Sequence, residues 1–242
     1  MSIAEKLQTI AENEQRVYEA GKAKGIEEGK KSEYDRFWED ALENAAKGDF
    51  AFAGPVWTDE SFNPPRGTVL QPPRAAYMFA CASITDLADL CEKKGIILDF
   101  SKSTSLMDAF YGSYNARFTR IGVVNTTSSN AINQTFYGQS KLHTIVRIIL
   151  RDDGSQTFTA AFAGCSALEN IEIEGVIGKN GFDVSPCTKL SQVSITSIVN
   201  ALSSTTSGLT VTISKKAKEA AFTDAEWADL IATKSNWTIS LN

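Results

Sequence analysis

Apolar residues recur along the middle of the chain with a repeated spacing. In each copy an aromatic residue precedes a short turn, a large apolar residue and further apolar positions three and five residues on, as in "FAGCSALENIEI" at 162–173. Copies begin at Phe110, Phe136, Phe162 and Phe182, and "LTVTI" at 209–213 carries only the strand part. Such alternation places one side of a short strand inward. We therefore expect a series of similar strands, each with an aromatic lead-in.

The spacing of these segments predicts a stack. The large apolar residues Phe118, Leu142, Leu168, Leu190 and Leu209 are separated by 24, 26, 22 and 19 residues. Periods of this length are typical of solenoids, in which each coil covers the apolar side of its neighbour. We predict a β-solenoid over residues 77–213, with the lead-in phenylalanines stacked along its second wall and Cys165 and Cys187 buried as small hydrophobes.

The first 47 residues read as a long helix that cannot bury its own apolar side. Ile3, Leu7, Ile10 and Val17 follow a heptad spacing, which is typical of a coiled coil. A stripe this narrow needs partner helices, so we predict a stem that forms a parallel homo-oligomer. The glycines at 21, 25 and 29 leave open the alternative of an irregular tether.

Two further regions complete the expected α+β architecture. Residues 48–76 hold five of the six prolines among aromatic residues, and we interpret them as a collar or N-terminal cap. Residues 214–242 are expected to form a C-terminal cap. In that cap, Thr223 and Glu226 have the spacing of a capping box, Trp227 lies on the apolar side of the helix that follows, and 237–241 form a last strand.

The segment "AFAGCSALENIEI" at 161–173 resembles the leucine-rich repeat of the BspA-like, or treponemal, class. The resemblance is partial at 109–123, 135–148 and 181–195 and weaker at 77–87, and the linking I-P-x-x-V-T-x-I-G motif is absent. The order of the segments along the whole chain is similar to that of uncharacterised proteins encoded in prophages of gut Firmicutes near tail genes. This resemblance implies a leucine-rich-repeat-like head on the stem, a trimer as the favoured oligomer, and a place in the virion.

Charge and cysteine usage exclude several classes of function. A net charge of −5 argues against nucleic acid as a partner, and no apolar run reaches the length of a membrane helix. The N-terminus shows no signal peptide, and the four cysteines contain no C-x-x-C pair. We expect synthesis in the bacterial cytoplasm, with buried thiols rather than disulfides or metal ligands.

Catalytic chemistry has no support in the residue pattern. The lone histidine, His143, has no indicated partner, and the Asp152–Asp153 pair precedes a glycine, as in a turn. We predict no catalytic residues, no metal and no cofactor. Side chains expected to point outward from the strands form the candidate recognition face: Thr119, His143, Glu169, Glu172, Gln192 and Ser194. The leading hypothesis is a non-enzymatic phage-type structural or receptor-binding protein that contacts a bacterial surface glycan or protein, and the alternative is an intracellular, prophage-encoded interaction module.

Overall fold

A column of phenylalanine rings runs through the core. The computed structural model describes residues 40, 43, 51–54, 57–112 and 117–242. The rings of Phe110, Phe136 and Phe162 stack with centroids 5.6 Å apart, and none of the three is exposed. Phe79 continues the column below Phe110 at 5.6 Å, and Phe182 lies tilted above Phe162 at 5.4 Å. The stacking expected for the lead-in aromatics is therefore present.

The backbone beside this column forms a ladder of hydrogen bonds between successive coils, where a coil is the stretch of chain that contains one phenylalanine of the column. The N–H groups of Gln134, Phe136 and Gly138 donate to carbonyls one coil further along the chain, at 2.9, 3.0 and 2.7 Å. Equivalent hydrogen bonds join the coils around Phe79 and Phe110 to the coils that follow them. The residue two places before four of these phenylalanines, Phe79, Phe110, Phe136 and Phe162, has a positive φ; these residues are Tyr77, Asp108, Gln134 and Ala160. The left-handed turn directs the donors of each coil toward the next one.

Helices and strands in the described residues are short. The helices are α1 (Leu87–Lys94), α2 (Gln192–Ala201), α3 (Lys215–Ala221) and α4 (Asp224–Ala232). The strands are β1 (Val69–Leu70), β2 (Ile97–Leu98), β3 (Arg120–Asn125), β4 (Thr144–Ile149), β5 (Asn170–Glu174), β6 (Asp183–Val184), β7 (Leu209–Ile213) and β8 (Trp237–Leu241). All pairing between strands is parallel, in three separate sheets ordered β1-β2, β3-β4-β5 and β6-β7-β8. The sheet β3-β4-β5 is called the central sheet below.

The predicted fold class, a long N-terminal helix followed by a leucine-rich-repeat-like β-solenoid with a C-terminal cap, is wrong. The described residues form four short helices and three small open parallel sheets instead of one continuous sheet. The helical stem of residues 1–47 lies outside the described residues except for Asp40 and Glu43. Oligomerisation through Ile3, Leu7, Ile10 and Val17 therefore stays a prediction.

Local helix signals explain why the strand series is interrupted. The segment "LSQVSI" was expected to be a strand, but it leads into α2, whose N-cap Ser191 accepts a hydrogen bond from the Ser194 N–H at 3.3 Å. Its expected inward residue Val193 is instead 79% exposed. On the other side of the central sheet, Asp86 caps α1 and accepts from the Asp89 N–H at 2.8 Å. The Ser191 cap favours a helix at a position where the repeat required a strand, and the Asp86 cap starts a helix ahead of the first predicted strand.

The central sheet contains an irregularity that the alternating pattern did not reveal. Ile121 pairs with Ile145, which pairs with Ile171, and all three point into the core. In β3 and β4 the next inward residues, Val124 and Ile148, come three positions later in the chain. In β5 the next inward residue, Ile173, comes only two positions after Ile171. We expected Val123 to point inward, and this is wrong: it is 46% exposed. An extra residue in β3 and β4 turns it outward, as in a β-bulge.

The C-terminal residues agree with the local sequence signals. The Thr223–Glu226 capping box is confirmed, with both reciprocal hydrogen bonds at the start of α4. Trp227 is buried, and the last strand, β8, covers 237–241 as expected. The Trp237 indole donates to the Ser203 carbonyl at 2.8 Å, which fixes this strand to the adjacent loop.

Candidate functional site

The central sheet exposes one broad surface, here called the outer face. It consists of the outward side chains of β3, β4 and β5: Arg120, Gly122, Val123, Thr144, Val146, Arg147, Asn170, Glu172 and Glu174. The opposite side of the sheet carries the buried isoleucines and Val124 of the core. The outer face is therefore the part of the sheet that is available to a partner.

Helix α1 borders the outer face next to β3. An isolated bridge joins Asp86 to Arg120, so the helix starts beside the strand. At Gly122 a Cβ atom would lie 3.8 Å from the Cβ of Ala88, and no other described residue would come within 4 Å. Two small residues therefore let the helix pack closely against the edge of the sheet.

Helix α2 borders the opposite side and replaces a fourth strand. The Ile171 N–H donates to the Ser194 hydroxyl at 3.0 Å, and that hydroxyl donates to the Glu169 carbonyl at 3.0 Å. One turn later the Ile173 N–H donates to the Ser197 hydroxyl at 2.8 Å. Because serines three residues apart lie on one side of a helix, α2 satisfies the edge of β5 with side chains instead of backbone.

An ion-pair cluster crosses the outer face between β4 and β5. The guanidinium of Arg147 contacts the carboxylates of Glu172 at 3.1 Å and Glu174 at 3.0 Å. The hydrogen bond to Glu172 is the main reason that the pKa of Arg147 lies above its ordinary value. Within the described part of the chain, Arg147 Nε is buried without a hydrogen-bond partner. The two carboxylates thus hold the arginine, but they do not use all of its donors.

Exposed valines accompany these charges. Val123 is 46% exposed and Val146 is 36% exposed on the outer face, and Val193 at the start of α2 is 79% exposed. Among the described residues, the strongly exposed large hydrophobic side chains are aliphatic, and none is aromatic. The surface therefore offers small apolar contacts around a charged centre.

A depression lies at each border of the outer face. The one between α1 and β3 has a volume of about 230 Å³ and is lined by Leu87, Cys91, Phe110 and Ile121 among others. Burial raises the pKa of the Cys91 thiol to about 12, so it is not a nucleophile at neutral pH. The other depression, between β5 and α2, measures about 480 Å³ and is open to solvent beside Val193.

The candidate recognition residues comprise three that form a row beside the outer face, two that are exposed and one that is buried. Thr119, His143 and Glu169 form a row beside the outer face, because the His143 N–H donates to the Thr119 carbonyl and the Glu169 N–H to the His143 carbonyl, each at 2.9 Å. The side chains of His143 and Glu169 approach to 3.5 Å. Glu172 lies on the outer face, and Gln192 is exposed at the start of α2. Ser194 is buried, and its hydroxyl is used by the backbone of β5.

Sequence reasoning missed Arg147 and the exposed valines as members of the surface. Arg147 occupies a position that is apolar in the other copies, and this mismatch was the available signal of the bulge. Val123 and Val146 are apolar residues in strands, and alternation alone assigns such residues to the core. Their exposure depends on a register shift between paired strands, which the local pattern does not encode.

The described residues were also compared with the requirements of metal, thiol and membrane sites. They contain no group of three or more potential metal ligands. All four cysteines are free thiols, and desolvation raises the pKa of Cys165 to about 12 and that of Cys187 further. None of the described helices has the length and apolar character needed to span a bilayer.

Comparison of the chain with protein-family models, with curated proteins and with solved structures finds no match.

Proposed function

We propose that the protein is a non-enzymatic, phage-type binding protein that recognises a protein on the bacterial surface through the outer face. The observation that carries the proposal is the combination of exposed Val123 and Val146 with the Arg147–Glu172–Glu174 cluster on a sheet bordered by two helices. Strands and helices fixed to one core present these side chains in a constant arrangement.

The type of side chain favours a protein over a glycan as the partner. Sugar rings are commonly held by aromatic faces, and the strongly exposed hydrophobic residues described above are aliphatic. Protein interfaces combine an apolar centre with a polar rim and a few charged anchors, with arginine enriched among them. Arg147, held by two carboxylates and flanked by valines, has the properties of such an anchor.

Binding to intact cells tests the proposal. Labelled full-length protein is titrated onto cells of gut Firmicutes, and the Val123→Asp and Val146→Asp variants are compared with Val69→Asp. Val69 is also exposed, at 58%, but lies in β1 outside the outer face. Loss of a central contact costs about 2 kcal/mol or more, so we expect both outer-face variants to bind at least about thirtyfold more weakly. Equal binding by all three variants would refute the proposal.

One observation favours the alternative, an intracellular interaction module. The chain carries four free thiols, one of them, Cys81, only half-buried, and free thiols persist best in a reducing compartment. This alternative uses the same outer face against a host protein inside the cell. Mass spectrometry of purified virions separates the two functions, because only a virion component copurifies with the particles in stoichiometric amounts.

A further inference from the structure

Among the residues that the structure describes, strand β8 pairs on one side only, and its other backbone edge has no strand partner. It is the last strand of the order β6-β7-β8 and pairs with β7 on one side. The Asn236 carbonyl accepts from the Gly208 N–H, and the Asn242 N–H donates to the Ile213 carbonyl, so even-numbered residues direct their backbone groups toward β7. Alternate residues of a strand direct theirs to opposite sides. The N–H and C=O groups of Ile239 and Leu241 therefore point away from the sheet.

The described residues cover both edges of the central sheet, but none of them forms a strand beside this edge of β8. Helices α1 and α2 border β3 and β5, as described above. On the outer side of β8, no described residue pairs with the strand. Exposed edges are usually blunted by lysine, proline, a bulge or short length. The segment "NWTISLN" at 236–242 has no charged residue and no proline, and its five-residue strand pairs with β7 in unbroken register.

The side-chain pattern of β8 is complementary to its own reverse. Apolar residues alternate with hydroxyl residues in the order Trp237, Thr238, Ile239, Ser240 and Leu241. In an antiparallel pair with a two-fold axis at Ile239, each Trp237 lies opposite Leu241 of the second copy, and each Thr238 lies opposite Ser240 of the second copy. Apolar thus meets apolar, and hydroxyl meets hydroxyl, which are favourable cross-strand pairs.

We propose that two copies of this chain associate through β8, forming a continuous antiparallel pair centred on Ile239. The outward N–H and C=O groups of Ile239 then bond those of Ile239 in the second copy. Leu241, which is 38% exposed, gains cover beside Trp237 of the second copy. A two-fold axis makes the interface use the same patch twice, and the segment 236–242 places no like-charged side chains opposite each other.

The oligomeric mass of the full chain tests this interface. Light scattering compares the parent protein with Leu241→Lys and with a matched control, Met107→Lys, because Met107 is 40% exposed but distant in sequence from β8. We expect Leu241→Lys to weaken association by about tenfold or more, so that the concentration at which half of the chains are paired rises by the same factor and the mean mass near the parent's own midpoint falls. The mass of the control should equal that of the parent. A parent that is monomeric at every concentration, or a mass unaffected by Leu241→Lys, would overturn the proposal.

Cross-linking tests the register independently of mass. Residues opposite each other in a non-hydrogen-bonded antiparallel pair have Cα atoms about 4.5 Å apart, which permits a disulfide. The proposed axis places position 238 of one copy opposite position 240 of the other. An equimolar mixture of Thr238→Cys and Ser240→Cys chains should form mixed disulfide dimers under mild oxidation, and either chain alone should not. Equal cross-linking in all three samples would contradict the centre at Ile239.

Discussion

Glycines at positive φ in this protein are of two kinds. At some, a side chain would collide with a neighbouring segment; at others, only the backbone conformation favours glycine. Gly138 follows a core phenylalanine by two residues and has φ +76°; a Cβ atom there would lie 2.5 Å from the Gly112 carbonyl oxygen. Gly67 has φ +83°, but a Cβ atom there would meet no atom of the described part of the chain within 4 Å. The first glycine is needed for the approach of two coils, and the second only for the shape of a turn.

The Gly138→Ala substitution should therefore be much more destabilising than Gly67→Ala. The left-handed conformation alone costs a non-glycine residue about 1–2 kcal/mol, and this is the expected loss for Gly67→Ala. In Gly138→Ala the contact with Gly112 must also open, which disturbs the bond from the Gly112 N–H to the Tyr137 carbonyl. Urea denaturation measures both free energies of unfolding. Equal losses would show that coil separation adjusts without cost.

At the scale of elements, helix α2 decides where the central sheet ends. Its serine hydroxyls replace the backbone partners that a fourth strand would supply to β5. Ser194 is 2% exposed, so removing its hydroxyl leaves the Ile171 N–H without this acceptor in a buried place. An unsatisfied buried donor costs about 1–3 kcal/mol.

We expect Ser194→Ala to lower the free energy of unfolding by that amount and to speed hydrogen exchange of the Ile171 amide. Thr196→Ala, on the same helix but lining the open depression beside β5, is the matched control and should change stability by less than about 0.5 kcal/mol. Unchanged exchange at Ile171 in Ser194→Ala would contradict the role assigned to the hydroxyl.

Local signals in the sequence identified single elements better than their assembly. The capping box at Thr223 and the strand 237–241 depend on neighbouring residues, and both predictions are confirmed. The stacked phenylalanines could also be predicted, because their spacing repeats along the chain. The segment after Leu190 matched the strand pattern equally well, but Ser191 caps a helix there. Alternation over so few residues does not distinguish a strand from a short helix.

The candidate site was predictable only in part for a related reason. Glu172 and the row through His143 follow from the repeat, because each copy places the same position beside its neighbour. Arg147 and Val123 reach the surface through the bulge in β3 and β4, which becomes visible only when the strands are paired. Ser194 has a polar side chain, but its burial depends on contact between α2 and β5.

At the scale of the whole molecule, one continuous core connects the first described coil to the last strand. Buried apolar residues form a single cluster that includes Phe52 near one end, Phe136 in the middle and Trp237 at the other end. A core without a break favours unfolding in a single cooperative transition. A substitution in the middle of the core should therefore lower the free energy of unfolding by the same amount whichever spectroscopic probe is used to measure it.

Phe136→Ala tests this coupling. The ring is not exposed and stacks between Phe110 and Phe162, so we expect a loss of about 3–5 kcal/mol. Far-UV circular dichroism and tryptophan fluorescence should report the same urea midpoint. The neighbouring Tyr137, half-buried and stacked on Tyr111 at 5.2 Å, supplies the control: Tyr137→Ala should lose less than half as much. Two separate transitions in Phe136→Ala would show that the core is divided.

The helices beside the central sheet also limit how the proposed recognition surface, the outer face, can evolve. Strands lie about 4.8 Å apart, so three of them give a platform roughly 10 Å across, close to the diameter of one α-helix. Because α1 and α2 close both margins, duplication of a strand cannot widen this platform without first displacing a helix. A new specificity must then arise by exchanging side chains in place, and lineages that differ in target should differ at the outward positions of β3–β5 while keeping the serines of α2.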